Sequence, residues 1–191
     1  MNTPGGWTRR SLIELALALG LTVPIRLFAQ SSTRQPEKLR PQPGDRLVFA
    51  TGSREGDAVK PDDLALGAEP LGAYPMDRSS GVVRNGSRLN QVMVLRLDPT
   101  ALSPETAGAA ADGIVAYSAV CTHTGCEISQ WRGKERHLVC PCHGSEFDAA
   151  DAALVVKGPA PKPLAMLPLE IAEGELRVKR GFTSHVGFQP Q

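Results

Sequence analysis

Two short segments of the chain place cysteine and histidine close together. The first box holds Cys121, His123 and Cys126, and the second holds Cys140, Cys142 and His143. Thiolate and imidazole are common protein ligands of iron and zinc. The chain has only these 4 cysteines among 191 residues. Their clustering indicates a local metal site rather than a disulfide framework for the whole fold.

The spacing within each box bears on which residues can share a metal centre. Cys142 and His143 are adjacent, and neighbouring side chains of an extended chain point in opposite directions. Cys140 and His143 are three apart and can face one centre across a tight turn, and Cys121 pairs with His123 by the same logic. A zinc site is the alternative, although zinc knuckles commonly use both cysteines of a pair two to four residues apart.

One cysteine of each box, Cys126 and Cys142, is left over by this pairing. In an exported protein we expect the two to form a disulfide between the boxes. The two boxes, separated by residues 124–139, resemble those of the Rieske iron–sulfur family almost letter for letter. The resemblance extends over about residues 112–180, and the family's bridging cysteines correspond to these same two residues.

The resemblance implies one [2Fe–2S] cluster per chain, with Cys121 and Cys140 on one iron and His123 and His143 on the other. Neutral histidine in place of anionic cysteine raises the reduction potential to between about −150 and +300 mV. Relatives of high potential have a serine and a tyrosine that donate hydrogen bonds to the cluster and its ligands. Ser145 matches the serine, whereas Phe147 stands at the tyrosine position, which predicts a lower potential.

A third segment resembles the proline loop that covers the cluster in this family. It contains Gly158, Pro159 and Pro161. Proline fixes the backbone dihedral φ and therefore stiffens such a cover. We expect this loop to exclude water from the cluster.

The elements that must position these boxes are predicted to be β-strands. The chain contains 19 Gly and 16 Pro and several short apolar runs, a composition typical of an all-β domain rich in turns. Strands are predicted at 46–50, 91–97, 113–118 and 137–139, and a hairpin at 166–179 around Glu173-Gly174. Residues 51–88 are predicted to be loop-like, and 98–111 a loop or a short helix after Ser103. The expected fold is a Rieske-type antiparallel β-sandwich or barrel with a cluster-binding subdomain.

The N-terminus resembles a twin-arginine export signal. Arg9 and Arg10 precede an apolar stretch, whose longest uninterrupted piece, Leu15–Ile25, has 11 residues. A full membrane span needs about 20 residues. We therefore expect residues 1–30 to be a cleaved signal or a weak anchor, with membrane contact through residues 11–28, and a periplasmic location. The remaining predicted bounds are a linker at 31–44, the Rieske domain at 45–181 and a C-terminal tail at 182–191.

Three functions fit these motifs. The first is the small iron–sulfur subunit of an arsenite oxidase-type molybdenum enzyme, which residues 112–118 and 146–148 resemble. The second is the Rieske subunit of a quinol-oxidising cytochrome bc complex, which the second box and the proline loop favour. The third, a ferredoxin of an oxygenase system, is disfavoured because those proteins are cytoplasmic and lack the extra cysteine pair.

Each of the first two functions implies a larger redox subunit as partner, and a c-type cytochrome or similar acceptor. The chain alone is expected to catalyse no bond-making. A formal net charge of +1 gives no indication of nucleic-acid binding.

Overall fold

The computed structural model describes residues 35–189, and these residues form a mostly β domain with few helices. The ten strands are β1 (Arg46–Phe49), β2 (Leu71–Met76), β3 (Val92–Arg96), β4 (Ile114–Ser118), β5 (Gln130–Arg132), β6 (His137–Cys140), β7 (Ser145–Asp148), β8 (Leu154–Lys157), β9 (Leu169–Ala172) and β10 (Glu175–Val178). One α-helix, α1 (Pro104–Ala109), and the 3-10 turns Pro36–Lys38, Pro61–Asp63, Arg88–Asn90 and Pro99–Ala101 complete the elements.

Six strands form one antiparallel sheet in the order β4-β3-β2-β1-β10-β9. Its two edges meet, because the amide of Ser118 donates to the Ala165 carbonyl and the amide of Leu167 donates to the Ala116 carbonyl, at 2.8 and 2.9 Å. The sheet therefore curls on itself around an apolar core that includes Leu47, Val94, Ile114, Leu169 and Leu176. Such closure leaves few unpaired backbone groups at the edges.

A smaller antiparallel sheet, in the order β5-β6-β7-β8, is the cluster-binding subdomain. Leu138 and Phe147 are paired across β6 and β7 and are fully buried. They belong to a second apolar core together with Tyr117 and Leu95, which come from the six-stranded sheet. The expected all-β fold with a cluster-binding subdomain is confirmed.

The predicted strands at 46–50, 91–97, 113–118 and 137–139 correspond to β1, β3, β4 and β6. The predicted hairpin corresponds to β9 and β10, and its turn residues Glu173 and Gly174 both have positive φ. Ser103 caps α1, accepting a hydrogen bond from the Thr106 amide. Strand β2 lies inside residues 51–88, so that stretch is not entirely loop.

Residues on both sides of the predicted domain, 45–181, contact it. Residues 36–42 pack on the body through the Arg84 guanidinium, which donates to the Pro36 carbonyl and forms a bidentate pair with the buried Asp45 carboxylate at 2.5 and 2.8 Å. At the other end, Phe182 and Val186 pack beside Val120. The described parts of the predicted linker and tail are therefore integral to the domain.

Within residues 35–189, no helix combines the length and the apolar character that a bilayer span requires. The predicted signal or anchor at 1–30, the membrane contact through residues 11–28 and the first part of the linker lie outside the described residues.

Candidate metal centre

The two boxes lie on neighbouring loops that end in similar turns. The first loop leaves β4, and the second is the tight connection between β6 and β7. The amide of Gly125 donates to the Cys121 carbonyl and the amide of Gly144 donates to the Cys140 carbonyl, both at 3.0 Å. Both glycines have positive φ, a conformation that other residues rarely adopt. Each box therefore wraps its first cysteine in one tight turn.

A disulfide joins the two loops. Cys126 and Cys142 are bonded, with their Cα atoms 6.5 Å apart. This is the pairing that the sequence predicted, and it holds the two boxes side by side.

The remaining four box residues form two pairs, one of cysteines and one of histidines. Cys121 and Cys140 are free thiols, each only 1% exposed. The rings of His123 and His143 meet edge to face, with their Nδ1 atoms 3.3 Å apart. His143 is exposed and His123 is half-buried. These two buried sulfurs and two outward imidazoles are the groups that the spacing predicts as one donor set.

Burial of Cys121 opposes the thiolate form that a metal ligand takes. Burial raises the pKa of the Cys121 thiol to about 11, although the His123 amide and the Ser145 hydroxyl partly oppose this shift. A thiolate in such a site requires positive charge beside it. A soft, polyvalent iron centre supplies that charge, so the donor set fits an iron–sulfur cluster.

The proline loop lies against both boxes. The Ala160 amide donates to the Ser145 hydroxyl at 3.1 Å, and the Thr122 hydroxyl donates to the Lys162 carbonyl at 2.7 Å. Gly158 has φ +85°, and a Cβ atom there would lie 2.5 Å from the Ser145 Cα. The loop therefore approaches the second box as closely as a glycine permits, with Pro159 and Pro161 exposed on its outer side.

Phe147 lies two residues beyond Ser145 on β7 and is fully buried. It packs in the same apolar core as Cys121 and Cys140. Its ring has no hydrogen-bond donor, so only the serine of the two expected donors is present beside the boxes.

Several supporting residues gave no signal in the sequence. Arg88 donates from Nη1 to the Gly125 carbonyl at 2.7 Å and so holds the first box from outside. The Tyr117 hydroxyl donates to the Ala149 carbonyl across the interface between the two sheets. Gly187 packs so tightly that its Cβ would lie 3.0 Å from Val120, the residue before Cys121. These contacts join segments far apart in the chain, which local patterns do not reveal.

Comparison with known proteins matches the same region. The family model described as "Rieske [2Fe-2S] domain" covers residues 72–168, about half of the chain. The cytochrome bc1 complex Rieske iron–sulfur subunit of Streptomyces lividans is 34% identical over 163 residues, which are 78% of this chain and 94% of that protein. The chain belongs to the Rieske family.

It is therefore an iron–sulfur electron-transfer protein, and its cofactor is a [2Fe–2S] cluster. The corresponding subunit of Streptomyces coelicolor is 33% identical over 193 residues, 94% of this chain but only 53% of that longer Rieske protein. A plasma-membrane Rieske protein from Synechocystis aligns with 26% identity and a TM-score of 0.37, over 58% of this chain and 86% of that one.

Proposed function

We propose that this Rieske protein is the iron–sulfur subunit of a quinol-oxidising complex of the cytochrome bc type. The observation that carries this proposal is the match to the Streptomyces lividans bc1 subunit over 94% of its length. The cytochrome bc1 relatives support this function better than the arsenite oxidase-type function, which the sequence placed first. The disulfide between the boxes disfavours the oxygenase ferredoxin, as the cysteine count predicted.

Cys121, Cys140, His123 and His143 are proposed to hold the cluster. Buried thiols suit the iron that is shielded from water, and the outward imidazoles suit the iron that faces a partner. When bound, the cluster accepts and releases one electron. The chain's own residues orient it, exclude water through the proline loop and place the two imidazoles at the surface.

A location outside the reducing cytoplasm is part of the same proposal. The Cys126–Cys142 disulfide is stable where thiols are oxidised, as in the bacterial periplasm. Arg9 and Arg10 are the proposed export motif. If the N-terminal segment is not cleaved, residues 11–28 would bring the domain to the membrane.

A molybdenum-enzyme partner remains the second candidate because of Phe147. Loss of the tyrosine donor predicts a lower potential than quinol oxidation commonly uses. In addition, a putative respiratory nitrate reductase subunit Rieske of Haloferax mediterranei is 45% identical over 76 residues, although these are only 39% of this chain and 34% of that protein. The midpoint potential and the co-purifying subunits distinguish the two candidates.

The first test is a redox titration of the purified protein between pH 6 and 10, with EPR as the readout. We expect a rhombic Rieske spectrum and a midpoint potential that falls at alkaline pH, because an imidazole that deprotonates on oxidation stabilises the oxidised form. Affinity purification from membranes then identifies the complex. Recovery of a molybdenum enzyme without a b-type cytochrome would contradict the bc assignment.

The Phe147→Tyr variant is expected to have a higher midpoint potential than the natural protein. A hydroxyl that donates to a ligand sulfur stabilises the more negative, reduced state. One such bond contributes about 1 kcal/mol, which is about 40 mV for one electron. Phe147→Leu serves as the control, since it perturbs the same buried position without adding a donor. An unchanged potential in the tyrosine variant would refute this role of residue 147.

A further inference from the structure

Three cationic side chains contact or flank the segments that surround the metal centre. Arg88 donates to the Gly125 carbonyl in the first box. Lys162 follows the proline loop, and its carbonyl accepts the hydrogen bond from Thr122. Lys157 immediately precedes Gly158. All three side chains are exposed, and that of Lys157 retains 66% of its accessible surface. We name Arg88, Lys157 and Lys162 the cationic collar.

The charged groups near the collar leave a small positive balance once Arg132 is included. Glu146 contacts Lys157 at 3.1 Å, but it is itself 5% exposed and is also contacted by Arg132 and His137. Glu127 accepts a hydrogen bond from Gln91 beside the first box, and Glu105 lines a cavity of about 310 Å³ behind Lys162. When Arg132 is counted with the collar, four cationic side chains face three carboxylates, one of which is buried.

The exposed residues of the two boxes and the proline loop carry no fixed charge. Besides His143 they are Thr124, Pro141, Cys142, Gly144, Gly158, Pro159 and Pro161. These residues are small or rigid, so a partner can approach the imidazoles closely without displacing long side chains. Docking surfaces between proteins commonly have few charged residues at the centre and polar or charged residues at the rim.

We propose that the cationic collar docks an electron-transfer partner whose redox centre is ringed by carboxylates. The inference rests on the proposed function, because it takes the imidazole end of the domain as the route of the electron. Rim charges steer a partner of opposite sign during diffusional encounter and fix its orientation, and salt screens both effects. Arg88 contributes in addition by holding the first box in place.

Two small redox probes of opposite charge test the sign of this surface. The reduced holoprotein is mixed in a stopped-flow instrument with ferricyanide, a trianion, or with tris(phenanthroline)cobalt(III), a trication. From low ionic strength to about 0.5 M, we expect the ferricyanide rate to fall by about tenfold. The cobalt rate is expected to rise or stay constant.

Charge-removing variants locate the effect. In Lys157→Gln/Lys162→Gln, the local balance changes from one net positive charge to one net negative charge, so the ferricyanide rate should no longer fall with salt. Lys60→Gln is the matched control. Lys60 is exposed beside Pro61, whose carbonyl is bonded to Arg96 at the end of β3 opposite the cluster loops. We expect the control to behave as the natural protein.

The inference would be overturned if the cobalt complex reacted faster than ferricyanide at low ionic strength and its rate fell with salt. It would also be overturned if both probes showed the same salt dependence, or if Lys60→Gln lost as much salt dependence as the double variant. These outcomes leave the proposed function intact, because the Rieske absorbance that reports the reaction is then present. A protein without that absorbance would instead refute the proposed function.

Discussion

Replacing both Cys126 and Cys142 by serine is expected to make the cluster labile. The disulfide closes a loop with a sequence separation of 16 residues between the two boxes. Cross-linking a loop of about this length stabilises the native state by about 3 kcal/mol, chiefly by restricting the unfolded chain. We expect the cluster to be lost up to about a hundredfold faster on heating or in urea. The decay of its visible absorbance measures this rate.

The double variant is preferable to a single replacement because a lone thiol has a nearby partner. The sulfur atoms of Cys126, Cys140 and Cys142 lie within 4.8 Å of one another. A free thiol there could pair with Cys140 and remove a proposed ligand. The natural protein treated with a strong reductant is the control, and it should approach the lability of the variant. Equal cluster lifetimes in all three samples would contradict a stabilising role of the disulfide.

The site was easier to predict from the sequence than the fold around it. Cys121, His123, Cys140 and His143 lie within short boxes whose spacing restricts which side chains can converge. The disulfide pairing followed from the same boxes. Strands with a clear apolar run, such as β3 and β4, were also predictable because they are central strands of a buried sheet.

Strand β2 was missed because Gly72 and Pro75 both count against a strand. The structure shows why proline is tolerated there. Strand β3 pairs with β2 only over residues 71–73, and Pro75 lies beyond that pairing. There the Arg84 amide donates to the Pro75 carbonyl at 2.8 Å, and the Arg84 carbonyl accepts a hydrogen bond from the Asn90 side chain, so no amide is needed from residue 75. Only the three-dimensional register reveals this arrangement.

Strands β5, β7 and β8 are three or four residues long and have little pattern of their own. They exist because they pair in succession around β6 and bury Leu138 and Phe147 against the larger sheet. The contacts of the terminal segments are equally hard to predict from local patterns. One of them, from Arg84 to the Pro36 carbonyl, joins residues 48 positions apart.

The supports of the metal centre come from three separate segments. Arg88 holds the first box, the proline loop covers the second, and the C-terminal segment packs behind Val120. No one of them provides a ligand. Together they hold the loops that carry the proposed ligands, which is the role expected of groups surrounding a metal site.

Gly158→Ala is expected to displace the proline loop from the second box. Its Cβ would lie 2.5 Å from the Ser145 Cα and 2.9 Å from the Gly144 carbonyl oxygen, and these backbone atoms have no flexible side chain to move aside. The positive φ adds about 1–2 kcal/mol for a residue with a Cβ, and overpacking adds about 1–3 kcal/mol. We expect water to reach the cluster, faster cluster loss and an altered midpoint potential.

Gly174→Ala is the matched control for this variant. Gly174 also has positive φ, +75°, but no atom lies within 4 Å of its Cβ position. It lies in the β9–β10 hairpin, so the control carries the conformational cost alone and leaves the cluster surroundings untouched. If both variants lost stability equally and kept the same potential, the close approach of Gly158 to Ser145 would have no role in covering the centre. A change of midpoint potential in Gly158→Ala but not in Gly174→Ala would show that the proline loop covers the cluster and is more than a structural turn.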